Sequence, residues 1–173
     1  MREITSIEPV AHVIRREDIE AFEVFGPTVE YLTQPRDGEP CIMRGTIPPH
    51  VSVPLHSHAD PETFMMIFGV VEGLSHSADG FEWIEVRPGD LFHVPGGAMH
   101  AFRNQTGEPA IMLIVSTDRI GRFFQEVGSP VRDGPQVRPF DPFERFLQAS
   151  KRYGYWNASP EENARVGIVL TAP

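Results

Sequence analysis

The stretch His56-Ser57-His58-Ala59-Asp60-Pro61-Glu62-Thr63-Phe64-Met65-Met66-Ile67-Phe68-Gly69 decides how this chain is read. Alternate side chains of an extended segment share a face, so His56 and His58 point the same way. A turn at Ala59-Asp60-Pro61 brings Glu62 back beside them on the next strand. Two imidazoles and a carboxylate suit zinc, iron, nickel or manganese. The same alternation places Phe64, Met66 and Phe68 on the face of Glu62, as candidate walls of a substrate pocket.

A second stretch completes the pattern: Gly89-Asp90-Leu91-Phe92-His93-Val94-Pro95-Gly96-Gly97-Ala98-Met99-His100-Ala101-Phe102-Arg103-Asn104. Gly89-Asp90 turns the chain into a strand, and Pro95 with Gly97 makes a tight turn. His100 emerges from that turn on another strand, able to face the first cluster. If His100 points inward, Phe102 does too and joins the pocket wall.

The two stretches resemble the two sequence motifs of the cupin superfamily. The first motif, His-x-His-x3-Glu-x6-Gly, is met by His56, His58, Glu62 and Gly69. The second, Gly-x5-Pro-x-Gly-x2-His-x3-Asn, is met by Gly89, Pro95, Gly97, His100 and Asn104. The family's first motif often opens on a Gly six residues before the first His; His50 stands there, and no ligand position is lost. The resemblance covers about residues 40–117.

It implies an all-β fold, a cupin jelly-roll β-barrel, holding one divalent metal ion (Fe, Mn, Ni or Zn) through His56, His58, Glu62 and His100. Four protein ligands leave one or two coordination positions open. Glu62 either stays a ligand or acts as general base on a substrate hydroxyl. The tail, Gly121-Arg122-Phe123-Phe124-Gln125-Glu126-Val127-Gly128 and a helix ending near Tyr153-Gly154, is similar to that of single-domain bacterial cupins loosely grouped with quercetin dioxygenase. This points to an oxygen-using, dioxygenase-like enzyme acting on a small, aromatic molecule. Metal-dependent isomerisation, cyclisation or lyase chemistry, and non-enzymatic small-molecule binding, are the alternatives. Family resemblance also implies a homodimer.

Outward from the motifs, 15 Gly and 17 Pro cut the chain into short pieces, favouring many short strands. Strands are expected at 22–25, 28–33, 41–47, 51–58, 63–68, 70–74, 81–86, 91–94, 99–104 and 110–117, with Asp37-Gly38 suiting a hairpin turn. Residues 15–20 fit a helical turn or a polar connection. After residue 118 the period changes. Ile120, Phe123, Phe124 and Val127 form one helical face, and Gly128 to Pro139 is a Pro/Gly-rich connection. Asp141-Pro142-Phe143-Glu144 and Ser159-Pro160-Glu161-Glu162 are helix starts. The first would bury Phe143, Phe146, Leu147 and Ser150 and end at Gly154. The division expected is 1–118, a barrel with an N-terminal arm, and 119–173, a helical extension packed on it. The aromatics Phe140, Phe143, Phe146, Tyr153, Tyr155 and Trp156 suit helix packing, a subunit contact or a lid.

The 173 residues carry a net charge of -9. Without a basic cluster, neither nucleic acid nor an anionic membrane surface is an expected partner. A single cysteine, Cys41, excludes an intrachain disulfide and reads as buried. The N-terminal residues lack an apolar run of signal-peptide length, so a cytoplasmic location is the expectation. His12 and His76 read as surface residues, His50 as a candidate at the barrel mouth, and His93 as a candidate outer partner of the metal site.

Overall fold

A computed structural model of the protein describes residues 10–131 and 141–170. The strands run β1 (Ala21–Glu23), β2 (Thr28–Tyr31), β3 (Cys41–Ile47), β4 (Ser52–Ser57), β5 (Glu62–Phe68), β6 (Val71–Ser77), β7 (Gly80–Val86), β8 (Leu91–Val94), β9 (His100–Arg103) and β10 (Ala110–Ser116). The chain continues through helix α1 (Asp118–Val127), β11 (Ser129–Pro130), α2 (Pro142–Tyr153), β12 (Trp156–Asn157) and α3 (Pro160–Arg165). Two sheets form, in the orders β11-β1-β2-β3-β10-β5-β8 and β12-β4-β9-β6-β7, with every pairing antiparallel. The cupin jelly roll expected from the motifs is the fold observed.

The sheets enclose one main core. Met43, Phe64, Met66 and Met112 from the larger sheet meet Val71, Val86 and Phe102 from the smaller. β3 shows the cause in its strict alternation of buried and half-buried residues, which is period-2 packing of one face. Cys41 is fully buried there, and burial pushes its thiol up to about 11, which keeps it protonated.

Phe68 departs from the expected face. Met66 pairs with Met112 and Phe68 with Ile111, so Ile67 is an extra residue in β5. This bulge turns Phe68 outward, where it is 47% exposed. The face of α2 differs in part: Ser150 is buried as expected and Ala149 with it, while Phe143 and Leu147 are exposed. The phenyl rings of Phe25 and Phe143 meet edge-on at 6.5 Å.

The C-terminal segment is more than a helical appendage. β11 pairs with β1, and β12 pairs with β4 at Ser57 and His56. Each covers a strand that would otherwise be an open edge. The helix starts are as the sequence indicates: Asp141 caps α2, Gly154 ends it in the left-handed conformation, and Ser159 and Glu162 form a capping box on α3. Part of the Gly128–Pro139 connection, and Phe140, lie outside the described residues. No described helix is long and apolar enough to cross a membrane.

Candidate metal centre

Both sheets contribute to the site. His56 on β4 and His100 on β9 are direct cross-strand partners in the smaller sheet, with ring centroids 4.1 Å apart. Glu62 opens β5 in the larger sheet, and His58 sits on the connection between them. One ligand atom from each of the four lies within 4.8 Å of all the others. Glu62 Oε2 is 3.1 Å from His58 Nε2 and 3.4 Å from His100 Nε2. Residues up to 44 apart in sequence thus converge where the two sheets meet.

The hydrogen bonds fix which nitrogen faces inward. Nδ1 of His56 lies 2.7 Å from Pro54 O, Nδ1 of His58 lies 2.8 Å from Asp60 O, and Nδ1 of His100 lies 3.0 Å from Ala98 O. A carbonyl oxygen can only accept, so each Nδ1 carries the hydrogen and each neutral ring turns a bare Nε2 to the centre. With all three rings neutral, three imidazole lone pairs and a carboxylate converge, and the donor that answers them is a proton taken up by His58 beside Glu62. His100 Nε2 is buried and has no hydrogen-bond partner, its 3.4 Å contact to Glu62 lacking bonding geometry. Buried acceptors without donors are costly, and a cation at their focus removes the cost. Spacings of 3.1 and 3.4 Å are also near the roughly 3 Å between adjacent donors about 2.1 Å from one ion. The four residues fit a divalent metal and could hold one.

Electrostatics agree. Burial, then the neighbouring His100 imidazole, drives the His56 pKa down to about 3, so that ring is neutral. Burial pushes Glu62 up, but the His100 and His58 imidazoles outweigh it and hold the carboxyl down at about 2. Burial lowers His58, yet Glu62 beside it overcomes this and raises it. A proton shared between His58 Nε2 and Glu62 thus substitutes for a metal when none is bound.

Gly96, the unassigned residue between Pro95 and Gly97, turns out to be a close-approach position. A Cβ there would lie 2.2 Å from Ala59 O, so only glycine lets the second turn pack on the ligand-bearing loop. Next to it, Gly97 N donates to His58 O at 2.6 Å. Asn104 is structural: its Nδ2 donates to Ile47 O and Glu108 O, and its Oδ1 accepts from Thr106.

Of the expected pocket wall, Phe64, Met66 and Phe102 are buried together, and Phe64 and Phe102 meet at 4.7 Å between centroids. Phe92 completes this floor, 5.3 Å from Phe102. Phe68 is not part of it. His93 bonds Thr63 Oγ1 and is exposed on the outer face, so it does not support the metal ligands. His12, His50 and His76 are exposed as well. A groove of about 440 Å³ lined by Leu55, Trp83, Met99 and Trp156 lies under α3. Leu55 alternates with His56, which puts this groove on the sheet face turned away from the ligands.

Sequence reading missed the side chains bracing His58. Asp60 is buried and accepts from Thr117 Oγ1 at 2.7 Å, Arg119 Nη1 at 2.8 Å and Tyr155 OH at 2.9 Å. The Tyr155 ring lies 5.1 Å from that of His58. Tyr155 was visible in the sequence only as one aromatic among several.

Comparison with known proteins agrees with this geometry. A family model described as Cupin domain matches residues 43–116. No curated protein sequence matches the chain. Among solved structures, the polyketide cyclase RemF from Streptomyces resistomycificus aligns at TM-score 0.55 and 20% identity, over 81% of this chain and 99% of that one. An oxalate decarboxylase of Bacillus subtilis aligns at 0.53 and 22%, over 67% of this chain but only 32% of that one. The CENP-C cupin domain of Drosophila melanogaster aligns at 0.51 and 13%, over 63% and 85%. At these identities the likeness is one of fold, and its bearers differ widely in what they are. The match over residues 43–116 and the two-sheet jelly roll together support the cupin superfamily for this chain.

Proposed function

We propose that this protein is a metal-dependent enzyme, dioxygenase-like, acting on a small aromatic molecule that chelates the ion through oxygen. The observation that carries the metal is the orphaned, buried Nε2 of His100, converging with two other imidazoles and an ionised carboxylate. A bound divalent ion would supply Lewis acidity there, and a redox-active one would supply electrons for oxygen chemistry. The chain's own part is to hold and to exclude. Phe64, Phe92 and Phe102 make an apolar floor that suits an aromatic ring and keeps water from beneath it. Glu62 Oε2 faces the imidazoles, which leaves Oε1 to take a proton from a substrate hydroxyl.

A second reading, cyclisation or isomerisation on the same ion, draws support from the polyketide cyclase whose whole length this chain nearly spans. Oxygen uptake separates the two. Protein reconstituted with Fe(II), Mn(II) or Ni(II) is offered a panel of phenols and diketones. Uptake with at least one pair supports the dioxygenase reading. Substrate turnover without uptake moves the assignment to cyclase or isomerase chemistry, and metal binding without any turnover to a binding protein.

We further propose that the protein is a homodimer. Met65, Leu91 and Val115 leave apolar side chains exposed on the outer face of the larger sheet, where Met65 and Leu91 are cross-strand partners and Val115 lies opposite Thr63, two residues along β5 from Met65. Sedimentation is expected to give a dimer, and Leu91→Lys a monomer with unchanged metal content. A monomeric wild type would overturn the proposal.

A further inference from the structure

Asp60 joins the metal ligands to the C-terminal segment at a single residue. Its main-chain oxygen accepts the Nδ1 hydrogen of His58, and its carboxylate takes donors from Thr117, Arg119 and Tyr155. These partners lie 57, 59 and 95 residues away in sequence. The carboxylate is 8% exposed, so the arrangement is a buried network with each oxygen used. Arg119 also donates to Tyr153 O and stacks over the Tyr153 and Tyr155 rings, at 5.3 and 5.2 Å from their centroids.

The same segment touches the site twice more. The Tyr155 ring rests against the His58 ring. The next two residues, Trp156 and Asn157, pair with Ser57 and His56, so β12 lies along the strand that bears a ligand. The loop carrying His58, Ala59 to Pro61, has an exposed alanine and proline on either side of Asp60. Gly97 N on His58 O and Ser116 Oγ on Pro61 O hold its two ends, and Asp60 anchors its middle.

We propose that Asp60 and Tyr155 are positioning residues for the metal centre, and that the C-terminal segment 153–158 docks in concert with metal loading. The inference rests on the metal reading above. By Asp60's two-sided bonding, docking of the segment fixes the carbonyl that orients the His58 ring. Linkage then requires the reverse: a bound ion, which needs His58 in that orientation, holds the segment down. Outer partners of metal-bound histidines typically cost 10–100-fold in affinity when removed.

The test uses Co(II) as the probe on the full chain, in wild type, Tyr155→Phe and Asp60→Asn. Tyr155→Phe keeps the ring against His58 and removes only the hydroxyl's bond. Asp60→Asn keeps the backbone carbonyl and weakens the carboxylate network. Arg152→Ala, which loses an exposed ion pair with Glu126, is the control. Both variants are expected to bind Co(II) about 10-fold or more weakly, with a shifted visible absorption band, while Arg152→Ala matches wild type. In wild type, Co(II) is expected to slow hydrogen exchange at the amides of residues 155–158, and in Tyr155→Phe this slowing is reduced. A merely structural tie would lower the melting temperature of the metal-free variants and leave affinity, spectrum and the Co(II)-dependent exchange untouched; that result overturns the proposal. Should Asp60→Asn fail to fold, Tyr155→Phe decides alone. Failure of the wild type to bind Co(II) would overturn the metal reading and this inference with it, whereas binding unchanged in Tyr155→Phe would overturn this inference only.

Discussion

The two ends of the barrel interior are built on the same strands and do opposite things. On β5, Glu62 is followed two residues later by Phe64. On β9, His100 is followed two residues later by Phe102. At one end four polar side chains converge on one point, and the buried Nε2 of His100 has no hydrogen-bond partner among the described residues. At the other, two phenyl rings close at 4.7 Å and finish the core. All four residues are buried. Burial alone therefore does not tell a ligand from a core residue on these strands. What distinguishes the polar end is the ring of carbonyls, from Pro54, Asp60 and Ala98, that commits each imidazole's other nitrogen. The apolar end is held by packing, the polar end by hydrogen bonds waiting for a cation.

The contrast can be broken most directly at the ligands. His56→Ala, His58→Ala or His100→Ala is expected to weaken metal binding by more than the roughly 10–100-fold that outer partners cost, by calorimetry or equilibrium dialysis. The metal-free fold should survive each change. At the apolar end the signature is reversed: Phe64→Ala should cost about 3–5 kcal/mol in unfolding free energy by denaturant titration. Any loss of metal there should only follow the loss of fold. A Phe64→Ala protein as stable as wild type would mean the floor is loosely packed.

Acidity sharpens the same comparison. His58 is raised by Glu62 in the metal-free protein, so its proton stabilises the fold below the unfolded value and that contribution fades as pH rises through the raised value. The ion competes for the same Nε2. Metal binding should therefore release a proton and strengthen with rising pH, and the metal-induced gain in melting temperature should grow from about pH 6 to about pH 8. A gain independent of pH would show that His58 is not a ligand. The smallest effect belongs to the outer face: Ser159→Ala breaks the α3 capping box and should cost about 1 kcal/mol with metal affinity unchanged.

Much of this was legible in the chain because it is local. The ligand set was legible through the two cupin-like motifs, whose period-2 spacing and turns let the four side chains converge, and β3 and β8 begin and end where the sequence places them. Phe68 was not legible, since a one-residue bulge opposite Ile111 and Met112 flips its face and nothing in Met66-Ile67-Phe68 announces it. The face of α2 depends on what it packs against, chiefly Phe123 of α1, which meets Phe146 and Tyr153 edge-on, rather than on its own pattern. Asp60 read as a turn residue, because the partners that give it a role come from α1 and from the residue preceding β12.

The central claim is that His56, His58, Glu62 and His100 form one metal-binding unit, and its most direct measurement is metal stoichiometry. Untagged wild type and His100→Ala are reconstituted with Fe(II), Mn(II), Ni(II) or Zn(II), desalted and analysed by elemental mass spectrometry. The account predicts one ion per wild-type chain for at least one of these metals and a large loss in His100→Ala, with both proteins folded. Wild type that retains no ion, or a His100→Ala protein that retains as much as wild type, would contradict it.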